Sequence, residues 1–282
     1  MEQSDVQDSA EMPETFAPFR DGIRHYAFLP RLALARNAAR YFEIGTSRGY
    51  SLATIDCAAV SVDPNYRLER EVMGKKPALM MFQMTSDDFF AQHRLSDLLP
   101  RPGTVDLAFL DGMHHFEFLL RDFMNTERYC TADSVVVLHD CLPLRPEAAR
   151  RLDKGRRIAT DTRRPVIERG GGWTGDVWKT LRILQDNRPD LRITIFDCPP
   201  SGLVVITGCD PENRILAERY DALVAEWMDA DLKPGWFDAL HDGVRLTPSR
   251  EYAKPPALRQ VMGLGAGEAA ARAGTGGSAR SG

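Results

Sequence analysis

The sequence lacks any C-x-x-C pair, and its five cysteines, Cys57, Cys130, Cys141, Cys198 and Cys209, are odd in number. That argues against a zinc ribbon or a disulfide framework and fits reduced intracellular thiols. No apolar run approaches the length of a membrane span. Residues 1–15 carry five acids and neither Lys nor Arg, which is incompatible with a secretory signal peptide. The expected location is therefore cytoplasmic, with no membrane partner. A basic excess is also missing: the net charge of −4 argues against a general nucleic-acid binder. The glycine loop over residues 43–49 is neither the G-x-G-x-x-G of nicotinamide enzymes nor the Gly-Lys-Ser/Thr of a phosphate-binding P-loop. The composition that remains is that of an ordinary globular protein. At 282 residues it can bury a large core, as one α/β domain with extensions.

What the chain does have is a series of apolar, strand-like runs that stop on polar residues, most of them acids. Tyr41-Phe42-Glu43-Ile44 runs into Gly45-Thr46-Ser47-Arg48-Gly49, and Val60-Ser61-Val62 stops on Asp63. Val105 to Leu110 stops on Asp111-Gly112, and Ser134 to Leu138 on His139-Asp140. In an open parallel α/β sheet the carboxyl ends of the strands form one edge, and ligands bind in the crevice there. Neighbouring parallel strands would bring these clusters to one site.

The expected strands are 40–44, 59–62, 78–84, 105–110 and 134–138. Helices are expected near Ser51, over Arg67–Met73, from Ser86 and over His115–Tyr129. Strands alternating with helices imply right-handed parallel βαβ units. Leu191 to Phe196 and Leu203 to Ile206, joined by Pro199-Pro200-Ser201-Gly202, read as an antiparallel hairpin. The expected organisation has a disordered acidic start over 1–15 and a helical cap over 16–39. The α/β domain covers 40–207, with a helical extension over 208–253 and a disordered tail over 254–282. Within the domain, 145–172 forms a basic, lid-like insertion: Arg145 to Arg169 holds nine Arg or Lys against four acids. Such a lid suits an anionic or sugar-phosphate ligand, and it also reads as a solvated loop.

Each cluster has a specific chemistry. Glycines in the Glu43 to Gly49 loop allow a tight turn and a close ligand approach. Asp63 stands 18 positions after Gly45, where a carboxylate accepts hydrogen bonds from a ribose diol or caps a helix. Thr85 and Ser86 read equally as a cap and as an adenine contact. Asp111, His114, His139 and Asp140 bring carboxylates and imidazoles together; carboxylates suit hard cations such as Mg²⁺, and imidazoles suit softer divalent metals. Asp176, in the Gly-rich approach to a further helix, is a candidate to complete such a metal site.

The order of these motifs resembles the class I S-adenosylmethionine-dependent methyltransferases over about residues 40–207. The resemblance implies a Rossmann-like, mostly parallel seven-stranded sheet ending in an antiparallel hairpin, with helices on both faces. Glu43, Gly45 and Gly49 match the loop that receives the methionine part of S-adenosylmethionine, with Thr46 and Ser47 inside it. Asp63 matches the ribose-binding acid, and Thr85 and Ser86 fall where adenine is contacted. Within the family, Asp111-Gly112-x-His114 with His139-Asp140 is similar to the catechol-type O-methyltransferases, implying a divalent metal at Asp111 and Asp140. His114 stands where those enzymes carry a lysine base, and His139 replaces an acid. The implied activity is methyl transfer to a hydroxyl of a small molecule (a sugar, a phenol or a natural product), with His114 or His139 as base. A nicotinamide oxidoreductase on a related sheet and a catalytically silent cofactor-fold protein are the rival readings. A homo-oligomer is compatible with all three.

Overall fold

The computed structural model describes residues 21–151 and 172–265. The acidic start, most of the basic insertion and the end of the expected tail lie outside the described residues. In chain order the elements are α1 (His25–Arg36), β1 (Arg40–Ile44), β2 (Ala58–Val62), β3 (Leu79–Phe82), α2 (Ser86–Gln92), α3 (Leu95–Leu98), β4 (Leu107–Leu110) and α4 (Phe116–Glu127). There follow β5 (Val135–Leu138), α5 (Trp178–Asn187), β6 (Arg192–Phe196), β7 (Leu203–Thr207), α6 (Ile215–Trp227), α7 (Trp236–Asp242), β8 (Leu246–Thr247) and α8 (Pro255–Met262).

The strands form one sheet in the order β3-β2-β1-β4-β5-β7-β6-β8. β1 pairs in parallel with both β2 and β4, so the strand order reverses beside β1 and opens a crevice at its carboxyl end. β4 pairs in parallel with β5, with Leu110 opposite Leu138. Asp111 and His139 therefore leave the sheet side by side. β7 runs antiparallel to both β5 and β6, which forms the expected hairpin.

β4 and β5 are apolar at every position because both faces are covered. Ala108, Leu110, Val136 and Leu138 face a core shared with Leu119, Leu120 and Phe123 of α4 and Leu181 and Leu184 of α5. Leu107, Phe109, Val135 and Val137 face the opposite core, closed by Phe28, Leu29 and Leu32 of α1 and Leu258 and Met262 of α8. Each such side chain contributes about 1.5–3 kcal/mol on burial, which holds the strand ends in place.

Several expectations need correction. Among the described residues the sheet has eight strands rather than seven, because the two-residue β8 adds in parallel to β6. The expected helix near Ser51 is a single 3-10 turn over Leu52–Thr54. Arg67–Met73 is not helical: Arg67 and Glu69 donate their main-chain N–H groups to the carbonyls of Ser47 and Arg48 at 2.9 and 3.0 Å, so this segment straps the glycine loop. The expected tail begins as a helix, α8, with two prolines at its start, a left-handed Gly263 at its end and Leu258 and Met262 fully packed. No described helix is long and apolar enough to cross a membrane.

Candidate active site

At the crevice beside β1 lies a cavity of about 1120 Å³. Gly45, Ser47, Asp63, Thr85, Ser86, Asp111 and His114 from the sequence reading all line it. The glycine loop is shaped by two constraints. Gly45 has a φ of +91°, and a Cβ there would stand 2.0 Å from the carbonyl oxygen of Asp111, so β1 and β4 abut through a residue that must be glycine. Ser47 also takes a positive φ, +47°, and its N–H donates to Asp63 Oδ2 at 2.8 Å. The N–H of Asn65 donates to the other oxygen of Asp63 at 2.6 Å. Asp63 thus clamps the glycine loop to its own loop, and each carboxylate oxygen keeps capacity to accept a further hydrogen bond.

Three residues assigned to the loop do not reach the cavity lining. Glu43 is fully buried behind it and accepts a hydrogen bond from Tyr41; burial pushes its carboxyl up to about 7. Thr46 turns into the sheet, 2.6 Å from the hydroxyl of Ser61. Gly49 supplies the turn at a φ of +80°, facing Val72 of the strap. Thr85 lines the cavity but caps α2, accepting from the N–H of Asp88 at 3.1 Å. Ser86 hydrogen-bonds the buried Asp122 of α4. Arg48, Asn65, Arg67, Asp87, Met113 and Phe118 also line it and were not singled out as site residues by the sequence; Ile44, Val62, Pro64 and Gly112 complete the lining.

At the β4–β5 end the charged residues meet. His139 Nδ1 lies 3.2 Å from Asp111 Oδ1 and 3.3 Å from Asp140 Oδ1. His114 Nε2 lies 3.5 Å from Asp111 Oδ1 and 3.5 Å from Asp140 Oδ2. One donor atom each from Asp111, His139 and Asp140 fall within 4.8 Å of one another, a grouping able to hold a metal ion. Asp140 sits at a φ of +58°, rare for a non-glycine residue, and Ser201 of the β6–β7 turn donates to its Oδ1 at 2.6 Å.

The electrostatics follow from crowding two acids and two imidazoles. Burial alone would discharge His139, but Asp140 and Asp111 outweigh it and hold its pKa well above the ordinary 6.5. His114 is raised in the same way, against its burial, by Asp111 and Asp140. Asp111 and Asp140 are held below the usual carboxylate range, since the nearby histidines outweigh burial. The imidazolium charge thus neutralises the acids.

His25, at the start of α1, is a third imidazole that the sequence reading missed. Its ring centroid lies 4.2 Å from that of His139, and its Nδ1 is 3.3 Å from the carbonyl of Pro199. Burial and the adjacent His139 lower its pKa to about 4, so it is neutral near pH 7.

Asp176 does not join the metal grouping. It is fully buried, and its Oδ1 accepts from the N–H of Phe116 at 3.0 Å, capping α4. Its Oδ2 pairs with Arg151 at 3.0 Å and Lys179 at 3.2 Å. Both oxygens are engaged, and His139 takes the place that Asp176 was expected to fill.

Residues 42–141 match a family described as a methyltransferase domain. The match begins inside β1 and ends just past Asp140, so it spans every strand end of the site. No curated protein matches the chain. Among solved structures the chain is similar to an O-methyltransferase from Bacillus cereus in complex with SAH, at 14% identity and a TM-score of 0.45, over 65% of this chain and 80% of that one. It is similar to the O-methyltransferase TomG from Streptomyces achromogenes in complex with SAM, at 18% identity and a TM-score of 0.42, over 66% and 79%. It is also similar to the SAH-bound methyltransferase PaMTH1 from Podospora anserina, at 13% identity and a TM-score of 0.44, over 66% and 78%.

Proposed function

We propose that the chain, whose residues 42–141 match a methyltransferase-domain family, methylates a hydroxyl group of a small molecule, with S-adenosylmethionine as donor and the help of a divalent cation. The observation that carries this reading is the grouping of Asp111, His139 and Asp140 at the rim of the cavity that holds the glycine loop and Asp63.

S-adenosylmethionine supplies a methyl group already activated on a sulfonium, so positioning carries much of the catalysis. The chain's part is to seat it. Gly45 lets the donor approach the main chain, and the free lone pairs of Asp63 suit a ribose diol. Thr85 and Ser86, which also line the cavity, are the candidates for the adenine contact.

The donor set fits a divalent ion: two carboxylates and an imidazole converge, with His139 and Asp140 buried and Asp111 open to the cavity, and the histidines with raised pKa values balance the acids. Asp111, Asp140 and His139 would hold the ion, Mg²⁺ or a softer divalent metal, which would acidify a bound hydroxyl. His114, with Nε2 at the same edge, accepts the hydroxyl proton. His139 is better placed as a ligand than as the base, because it is nearly buried between the two acids. Arg48 and Arg67 at the cavity suit an acceptor with negative charge.

The test is transfer of labelled methyl from S-adenosylmethionine into catechol, tyrosine and glucuronic acid, probes for phenolic and anionic sugar hydroxyls. The assay is run on chelator-treated protein and again after Mg²⁺ or Mn²⁺ is restored. Transfer should vanish on chelation and return with the metal, and metal binding near neutral pH should release protons from the histidines. Transfer that is indifferent to chelation would overturn the metal assignment.

A further inference from the structure

The stretch Gly172 to Asp176 contributes no residue to the cavity lining and no ligand to the metal grouping, yet three of its residues press on the segment carrying His114. The main-chain carbonyl of Trp173 lies 3.1 Å from His114 Nδ1. A carbonyl oxygen can only accept, so Nδ1 carries the proton and donates it. The indole lies along the imidazole, with ring centroids 4.9 Å apart and planes 24° from parallel. Gly175, at a φ of +63°, packs so closely that a Cβ there would stand 1.9 Å from the carbonyl oxygen of His114. Asp176 then caps Phe116, two residues beyond His114.

Trp173 is itself fixed. Its Nε1 donates to the carbonyl of Arg150 at 2.7 Å, and the N–H groups of Thr174 and Gly175 donate to the carbonyl of Ala148 at 2.9 and 3.1 Å. A side chain held on one ring nitrogen and along one face presents its other nitrogen in a single direction. For His114 that direction is the gap between Asp111 and Asp140.

We propose that Trp173 is the positioning residue of the reaction, orienting His114 by accepting its Nδ1–H and bracing its ring. The proposal rests on the reading of His114 as the base. An orienting partner on the far nitrogen selects the tautomer whose Nε2 can take a proton, and the carbonyl dipole then stabilises the imidazolium that forms. Gly175 is part of the device, because only a residue without a Cβ lets the Gly172 to Asp176 stretch lie against the His114 main chain.

The test uses ¹⁵N-labelled full-length protein, with His114→Ala identifying the His114 ring resonances and S-adenosylmethionine affinity measured by calorimetry. In the parent protein His114 should show a hydrogen-bonded Nδ1–H that exchanges slowly with water. Trp173→Ala keeps the main-chain carbonyl but removes the ring that braces the imidazole and the Nε1 anchor on Arg150, and Gly175→Ala pushes its stretch off the His114 main chain. Each should loosen the Nδ1–H bond and speed that exchange by at least about tenfold, with S-adenosylmethionine affinity within about twofold of the parent. Trp173→Phe, which keeps an aromatic face against the imidazole, should recover most of the protection. If Trp173→Ala does not fold, Trp173→Leu keeps the bulk without the ring and is read in its place. Unchanged exchange in these variants, or a protected Nε2–H in place of Nδ1–H, would overturn the proposal. If protection is lost as expected while His114→Ala keeps full methyl transfer, the orientation stands and only the assignment of His114 as base fails.

Discussion

The two halves of the crevice are built from different materials. On the β1–β2 side the main chain does the shaping: Gly45 and Ser47 at positive φ, with Asp63 accepting from the N–H groups of Ser47 and Asn65. On the β4–β5 side charged side chains do it, with Asp111, His114, His139 and Asp140 holding one another within hydrogen-bonding or ion-pairing reach. Backbone geometry is insensitive to pH and to salt, whereas a cluster of acids and imidazoles exchanges protons with whatever binds it. The first half therefore suits a constant cofactor, and the second suits a reaction in which charge and protons move.

Substitutions can break or sharpen this division. Gly45→Ala strikes the seam, where a methyl group would collide with the Asp111 carbonyl. It should abolish S-adenosylmethionine binding and lower stability by about 1–3 kcal/mol, read by calorimetry and thermal unfolding. His114→Ala affects the charged half and should lower methyl transfer by about 10²–10⁴-fold, measured as kcat. Ser201→Ala removes the hydrogen bond to Asp140 and should weaken metal affinity by about 10–100-fold in a metal titration, leaving cofactor affinity intact.

Asp122→Asn should have the smallest effect. Burial pushes this carboxyl from its ordinary 3.8 up to about 7. Between those pH values the folded protein keeps a proton that the unfolded chain has lost, so stability falls as pH rises through that window. The variant should flatten the decline, as followed by denaturant unfolding at several pH values.

The division also explains what could be read from the sequence. Gly45, Asp63, Asp111 and Asp140 were accessible because each follows an apolar run, and strand ends in a parallel sheet share an edge. Local composition carries that information. The bracing of the charged half depends on residues far away in the chain: His25 reaches His139 from α1, Ser201 reaches Asp140 from the hairpin turn, and Trp173 reaches His114 across 59 positions. No local pattern marks such contacts.

Asp176 illustrates the same limit, since an acid in a Gly-rich approach reads like a ligand until its two oxygens are found on Phe116, Arg151 and Lys179. Arg67–Met73 failed as a helix because its N–H groups pair with the glycine loop instead. The helix α8 was readable after all, from Pro255-Pro256 at its start and Gly263 at its end. A scarcity of large apolar residues outweighed those signals, although Leu258 and Met262 suffice to dock it.

The separation of the two halves is tested most directly by Asp140→Ala, with S-adenosylmethionine binding measured by calorimetry and labelled methyl transfer measured in the same preparation. Asp140 belongs to the charged grouping and does not line the cavity. The expected result is cofactor affinity within about twofold of the parent, together with a loss of transfer of at least about 100-fold. Full methyl transfer by the variant with cofactor bound would contradict the assignment of chemistry to the β4–β5 side.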